Sequence, residues 1–232
     1  MRRKNALLCL LLLPLLALAS FSPQEEKFVA LTFDDGPRPQ TTAQLLDGLA
    51  ARGAKATFFL IGEQLDGRED VVRRMAQEGH QVGSHTWSHS NLGAVTVSEA
   101  LSEIARTEAA LTQLLGEGTY WLRPPWGFLS EQTAAAVGVP MLYWSLDTED
   151  WRLRDEEAVF RAIVENVQPG DVVLLHDPYP TTVQAVLRAV DALSQQGYRF
   201  VTAQQLFAQT GVTPQQGVLY ASPTQVRTIS GG

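Results

Sequence analysis

The sequence has a single cysteine, Cys9, and it lies in the first twenty residues. A disulfide framework is therefore excluded, and with no small-residue-plus-cysteine pattern closing that segment, so is a lipid-modified amino terminus. Positive charge is also scarce, with 18 Lys and Arg against 25 Asp and Glu. Such a surface repels nucleic acid and disfavours docking on anionic membranes or strongly anionic polymers, leaving a neutral or cationic substrate as the easier partner. Long apolar runs are lacking except one, from Ala6 to Leu18, which is short beside the roughly 20 residues a membrane span needs. It follows Met1-Arg2-Arg3-Lys4 and ends in Ala17-Leu18-Ala19, the layout of a secretory signal peptide. Cleavage after Ala19 is expected, with an uncleaved membrane anchor as the alternative. Loss of Arg2, Arg3 and Lys4 would leave 15 basic against 25 acidic residues, a net charge of about −10. A cysteine-free exported domain of about 210 residues can bury a sufficient core without crosslinks.

From residue 27 to about 210, short β-rich runs alternate with stretches of helical period, without a composition break, so a single domain is expected. The predicted strands cover 28–33, 56–61, 81–84, 120–123, 141–146, 172–175 and 199–202. The predicted helices cover 42–51, 69–77, 98–115, 130–137, 155–167 and 182–196. This order implies an α/β fold with about seven parallel strands, either doubly wound or a distorted or incomplete (β/α) barrel. Residues 211–232, rich in Gly, Pro, Thr, Ser and Gln, are expected to form a flexible tail.

Reactive groups in parallel α/β folds collect where the strands end. Here those ends read Thr32-Phe33-Asp34-Asp35-Gly36-Pro37, His85-Thr86-Trp87-Ser88-His89, Arg123-Pro124-Pro125-Trp126-Gly127, Asp147-Thr148-Glu149-Asp150-Trp151 and Leu174-Leu175-His176-Asp177. Each has a bland reading when taken alone. Asp-Asp-Gly-Pro is turn chemistry, paired histidines are commonly surface residues, and a histidine closing an apolar strand can be a bonded core residue. Yet the chain has four histidines, and three sit at these ends. The fourth, His80, is expected to be an exposed helix-end residue.

The five segments, in this order, resemble the motifs of the polysaccharide deacetylases of carbohydrate esterase family 4, the NodB homology domain, over about residues 28–207. The resemblance implies a distorted seven-stranded barrel and metal-dependent hydrolysis of N-acetyl or O-acetyl groups on a polysaccharide or oligosaccharide. It makes Asp35, His85 and His89 the metal ligands, a set suited to zinc and open also to cobalt, nickel or manganese. It makes Asp34 the general base, held by Arg123, and His176 the general acid, with Asp150 its implied partner and Asp147 the alternative. Adjacent side chains at an extended strand end point apart, which would let Asp34 and Asp35 take different tasks. Trp126 stands where a tyrosine usually follows Arg-x-Pro; the role carried over to it belongs to its backbone N–H, at the oxyanion. Trp151 and Leu174 would line the pocket for the acetyl methyl.

Two readings from other classes stand beside this one. Paired carboxylates such as Asp34 and Asp150 could serve a glycoside hydrolase, which leaves the spaced histidines unexplained. A non-catalytic wall-binding module of the same fold would be expected to lack the base or a ligand, and neither is missing. The polymer stays open among chitin oligomers, peptidoglycan and poly-N-acetylglucosamine, with acetylated xylan as an ester.

Overall fold

The first strand, β1 (Lys27–Gly36), sets the two sides of the molecule. Its side chains alternate between them, as extended backbone requires. Val29, Leu31 and Phe33 join the large outer core, while Ala30 joins an inner core with Phe59, Leu142 and Val172. Thr32 and Asp34 continue the inner face upward, so one strand runs from apolar packing to a buried carboxylate. The computed structural model describes residues 26–229, and the expected signal segment lies outside them.

The remaining order is α1 (Pro39–Ala51), β2 (Ala56–Leu60), α2 (Glu69–Gln77), β3 (Gln81–Ser84), α3 (Val97–Leu115), α4 (Glu131–Ala136), β4 (Met141–Leu142), β5 (Leu146–Asp147), α5 (Asp150–Leu153), α6 (Glu156–Asn166), β6 (Val172–His176), α7 (Pro180–Gln195), β7 (Tyr198–Phe200), α8 (Ala203–Gln209), β8 (Leu219–Ser222) and β9 (Gln225–Val226). The main sheet is parallel, in the order β3-β2-β1-β6-β5. β1 forks: Lys27–Val29 pair with β7 and Ala30–Asp34 with β6. Helices α1, α6 and α7 cover the outer face, and α8 places Ala203, Leu206 and Phe207 against the inner core.

The barrel is not closed. Past β3 the ring continues only through isolated bridges from Ser84 to Leu122 and from Leu122 to Met141. The predicted strand at 120–123 is thus a single bridged residue, and the one at 141–146 is broken into β4 and β5. At the break the Tyr143 N–H bonds to the Tyr220 carbonyl of β8. The segment expected as a flexible tail therefore supplies a structural strand: β8 is buried and pairs in parallel with β4, and β9 folds back on it. Leu219 and Tyr220 explain the difference, since both bury their side chains against strand-edge residues far away in sequence. His80 departs from expectation as well. Gly79, at φ 79°, turns the chain back under α2 and buries the imidazole edge-on against Phe58, where Nδ1 accepts the Ala56 N–H at 3.1 Å.

Candidate active site

All five polar segments meet at the carboxyl ends of the strands, around a cavity of about 490 Å³ lined by Asp34, Asp35, His85, His89, Trp126, Trp144, Asp147, Trp151, Leu174, His176 and Tyr179. A larger open groove of about 680 Å³ lies at the other end, between the start of β1 and the β8–β9 hairpin. It contains no histidine.

Asp34 and Asp35 are separated by a kink, and the expected alternation along extended backbone does not hold there. β1 shifts register between Asp34 and Gly36, and Asp35 adopts a left-handed φ of 68°. Gly36 is needed at this kink because a Cβ would come within 2.7 Å of Asp177 Oδ1. Asp34 stays in the barrel, where Arg123 Nη1 donates to its Oδ1 at 2.9 Å. Arg123 is fully buried, stacked on Phe59, and also donates to Thr32 Oγ1 and to the carbonyls of Leu142 and Tyr143. Such a network fixes the guanidinium and, through it, the carboxylate.

Asp35 points to the two histidines. Its Oδ1 lies 3.3 Å from His89 Nε2 and 3.6 Å from His85 Nε2. That oxygen is buried with no hydrogen-bond partner among the described residues, the histidine contacts lying off hydrogen-bond geometry. These separations suit ligands sharing one ion, because donors 2.0–2.2 Å from a tetrahedral metal lie about 3.4 Å apart. The three residues are the one such group among the described residues. His85 Nδ1 donates to the Arg123 carbonyl at 2.7 Å, which leaves Nε2 as the free lone pair. Burial pushes the His85 imidazole down, although Asp34 and Asp35 pull the other way, so it stays neutral as a ligand must. Burial opposes ionisation of Asp35, but His89, His85 and His176 outweigh it and hold the carboxyl down at about 2. The histidines sit on a loop, not a helix; positive φ at Thr86 and His89 brings their rings to 4.9 Å.

Across the cavity, His176 Nδ1 donates to Asp150 Oδ1 at 2.8 Å. Asp150 Oδ2 takes the His176 backbone N–H and the Thr182 hydroxyl, each at 2.8 Å. Burial disfavours the His176 cation, yet this bond and the charges of Asp150, Asp34 and Asp35 push it up to about 9. Asp150, not Asp147, is the partner; Asp147 instead accepts the Glu149 N–H. Fully buried beneath the imidazole, Asp150 cannot reach a glycosidic oxygen, which removes the geometry a glycosidase pair would need.

Trp126 adopts φ 54° in a turn over Pro125–Gly127, its ring edge-on to His89 at 4.3 Å. Among the described residues nothing accepts its backbone N–H. Gly127 follows because a Cβ there would meet the Tyr143 ring at 2.1 Å. Trp151 and Leu174 line the cavity, the former about half exposed. The sequence reading missed Trp144, Tyr179 and Thr182. Trp144 hid inside an apolar run read as one strand, and Tyr179 in the turn signal Pro178-Tyr179-Pro180; an aromatic beside a strand end was the available clue.

Known proteins resemble this chain in sequence and in fold. The polysaccharide deacetylase family profile matches residues 22–141. The peptidoglycan-N-acetylglucosamine deacetylase PgdA of Listeria monocytogenes is 37% identical over 203 residues, covering 88% of this chain and 43% of that protein. The chain thus spans under half the length of that relative. A peptidoglycan-N-acetylglucosamine deacetylase of Bacillus cereus is 37% identical over 198 residues, covering 82% of this chain and 72% of the relative. Among solved structures, a family 4 acetyl xylan esterase from Clostridium thermocellum in complex with a cobalt ion superposes with a TM-score of 0.80 at 33% identity, covering 85% of this chain and all of that one. By sequence and by fold, the chain belongs to the polysaccharide deacetylases, carbohydrate esterase family 4.

Proposed function

We propose that the protein is an exported, metal-dependent hydrolase that removes acetyl groups, N-acetyl in the first instance, from a polysaccharide of the cell envelope or a related oligosaccharide. One observation carries this reading: a three-ligand cluster lies between a carboxylate held by a buried arginine and a histidine kept protonated by a buried aspartate.

An amide resists hydrolysis because its carbonyl is a poor electrophile and its amine a poor leaving group. Asp35, His85 and His89 would hold a divalent ion, zinc by donor type, with the cobalt of the xylan esterase neighbour compatible with the same donors. When bound, the ion supplies Lewis-acid polarisation of the acyl oxygen and acidification of water. Asp34 accepts the proton of the attacking water, and Arg123 holds that carboxylate in place. The Trp126 N–H donates to the oxyanion as charge develops. His176, its Nδ1 taken by Asp150, presents Nε2–H to the leaving nitrogen. Trp151 and Leu174 bound the space for the methyl group.

The test is acetate release by mature protein on chitin oligomers, peptidoglycan, poly-N-acetylglucosamine and acetylated xylan, with chain length followed in parallel. Chelation should abolish release and zinc or cobalt restore it, while chain length stays constant. Full activity after thorough demetallation, or new reducing ends, would overturn the reading.

A further inference from the structure

Among the described residues, six non-glycine residues have positive φ: Asp35, Thr86, His89, Trp126, Glu149 and Arg154. Five belong to the constellation above, as ligands, as the oxyanion turn, or directly beside His85 and Asp150. Arg154 is the sixth, and the chemistry gives it no task. It ends α5 at φ 49°, ψ 28°, a position where glycine or asparagine is favoured. Keeping an arginine there costs about 1–2 kcal/mol of backbone strain. Its Nε donates to the Trp151 carbonyl at 2.6 Å, and its Cζ lies 3.3 Å from the ring centroid of Tyr179. Tyr179 lines the catalytic cavity, its ring 6.0 Å from that of His176. The exposed Arg154 has no carboxylate partner among the described residues, and the nearby Glu149 is taken by Arg152.

A guanidinium stacked on an aromatic face and anchored at Nε offers its two terminal nitrogens as a rigid fork, the geometry that pairs with a carboxylate. We propose that Arg154 is a specificity-determining residue: it binds a carboxylate on a sugar adjoining the one being deacetylated, so the preferred substrate alternates acetamido sugars with carboxylate-bearing ones. The acidic surface expected to turn away polyanions is compatible with this, because Arg154 acts on a single charge at contact range. The proposal rests on the deacetylase reading.

The probe is a set of peptide-free peptidoglycan strands with their lactyl carboxylates either free or methylamidated, with chitooligosaccharides as a neutral reference. Wild-type enzyme should show kcat/KM at least about 10-fold higher on the free form, the scale of a charge-assisted hydrogen bond. Arg154→Gly and Arg154→Gln should reduce that ratio to within about twofold, chiefly through KM, and Arg154→Lys should keep part of it. Glycine suits the left-handed backbone, so Arg154→Gly should fold and melt no lower than wild type, and its lost selectivity cannot be ascribed to unfolding. Equal wild-type rates on the two forms, or equal losses on both in Arg154→Gly, would overturn the assignment. Turnover of chitooligosaccharide with no carboxylate preference would overturn it while leaving the deacetylase reading intact; no acetate from any substrate would overturn both.

Discussion

The two ends of the barrel are built from the same strands and hold opposite kinds of matter. At the end that α8 covers, Ala30, Phe59, Leu142 and Val172 pack on that helix, and Phe207 meets Trp121 and Tyr220 edge-on at 5.3 and 5.2 Å. At the open end a fully buried arginine, buried carboxylates and left-handed backbone crowd one cavity. Apolar contacts at the first end offset the strain and desolvation stored at the second. The largest expected effect separates them. Phe207→Ala should cost about 3–5 kcal/mol of stability, the usual loss for a truncated core aromatic, while the folded fraction keeps its metal affinity and turnover. Denaturant melts beside activity per folded molecule check this; a large fall in turnover per folded molecule would show that the ends are not independent.

Next in size is a test inside the open end. Asp34→Asn preserves shape and cannot take a proton, so turnover should fall about 100-fold or more with metal content kept. Asp35→Asn removes the anionic member of the proposed ligand set, so metal content should fall and excess metal should restore part of the activity. Elemental analysis beside acetate release decides, and the opposite pattern would exchange their roles.

How much of this was legible in the sequence follows the same division. β2, β3 and α2 match their predicted spans within a residue, because an unbroken β-rich run or a flanking glycine marks them locally. All of the proposed catalytic and ligand side chains lie at strand ends whose motifs could be read without knowing what packs beneath them. What stayed hidden depends on distant partners. Nothing local marks Leu219–Ser222 as a strand, since its reason to exist is the edge of β4, and His80 is buried only because β3 returns beneath α2. Trp126 and Glu149 could not be read as left-handed, because their strain is imposed by their surroundings.

Each end also carries a histidine, and the two are shifted in opposite directions. His80, buried and near Lys55, is pushed down to about 4, below its ordinary 6.5. Between those values the unfolded chain binds the proton and the folded one does not, so stability should fall as pH drops from 6.5 through about 4. His176, raised to about 9, contributes its full stability below pH 6.5 and loses that contribution as pH rises through about 9. Acid assistance should disappear over the same upper window, so kcat should decline near pH 9 for an amide and less for an activated aryl acetate, whose leaving group needs little protonation. Asp150→Asn should move that decline to lower pH, whereas His80→Gln should leave it in place and remove part of the acid-side loss of stability. Coincident shifts in both variants would mean that one titration, not two, governs the profile.

The smallest expected effect asks whether strain at the open end is held there by function. Glu149 takes φ 52°, ψ 26° immediately before Asp150, and among the described residues its carboxylate engages only the exposed Arg152. A left-handed non-glycine residue costs about 1–2 kcal/mol, while glycine gives back about 0.5–1 kcal/mol through the freer unfolded chain. The exposed ion pair contributes little. Glu149→Gly should therefore raise stability by about 0.5 kcal/mol, a gain of one or two degrees in Tm for a domain of this size. Because Asp150 is the first residue of α5 and sets His176, the looser turn should also lower kcat on amide substrates while metal content stays stoichiometric. A variant both more stable and slower would show that the strained turn serves positioning. A variant less stable than wild type would mean that the surrounding packing, not the residue at 149, determines this backbone, and the contrast between a relaxed end and a strained one would fail at this turn.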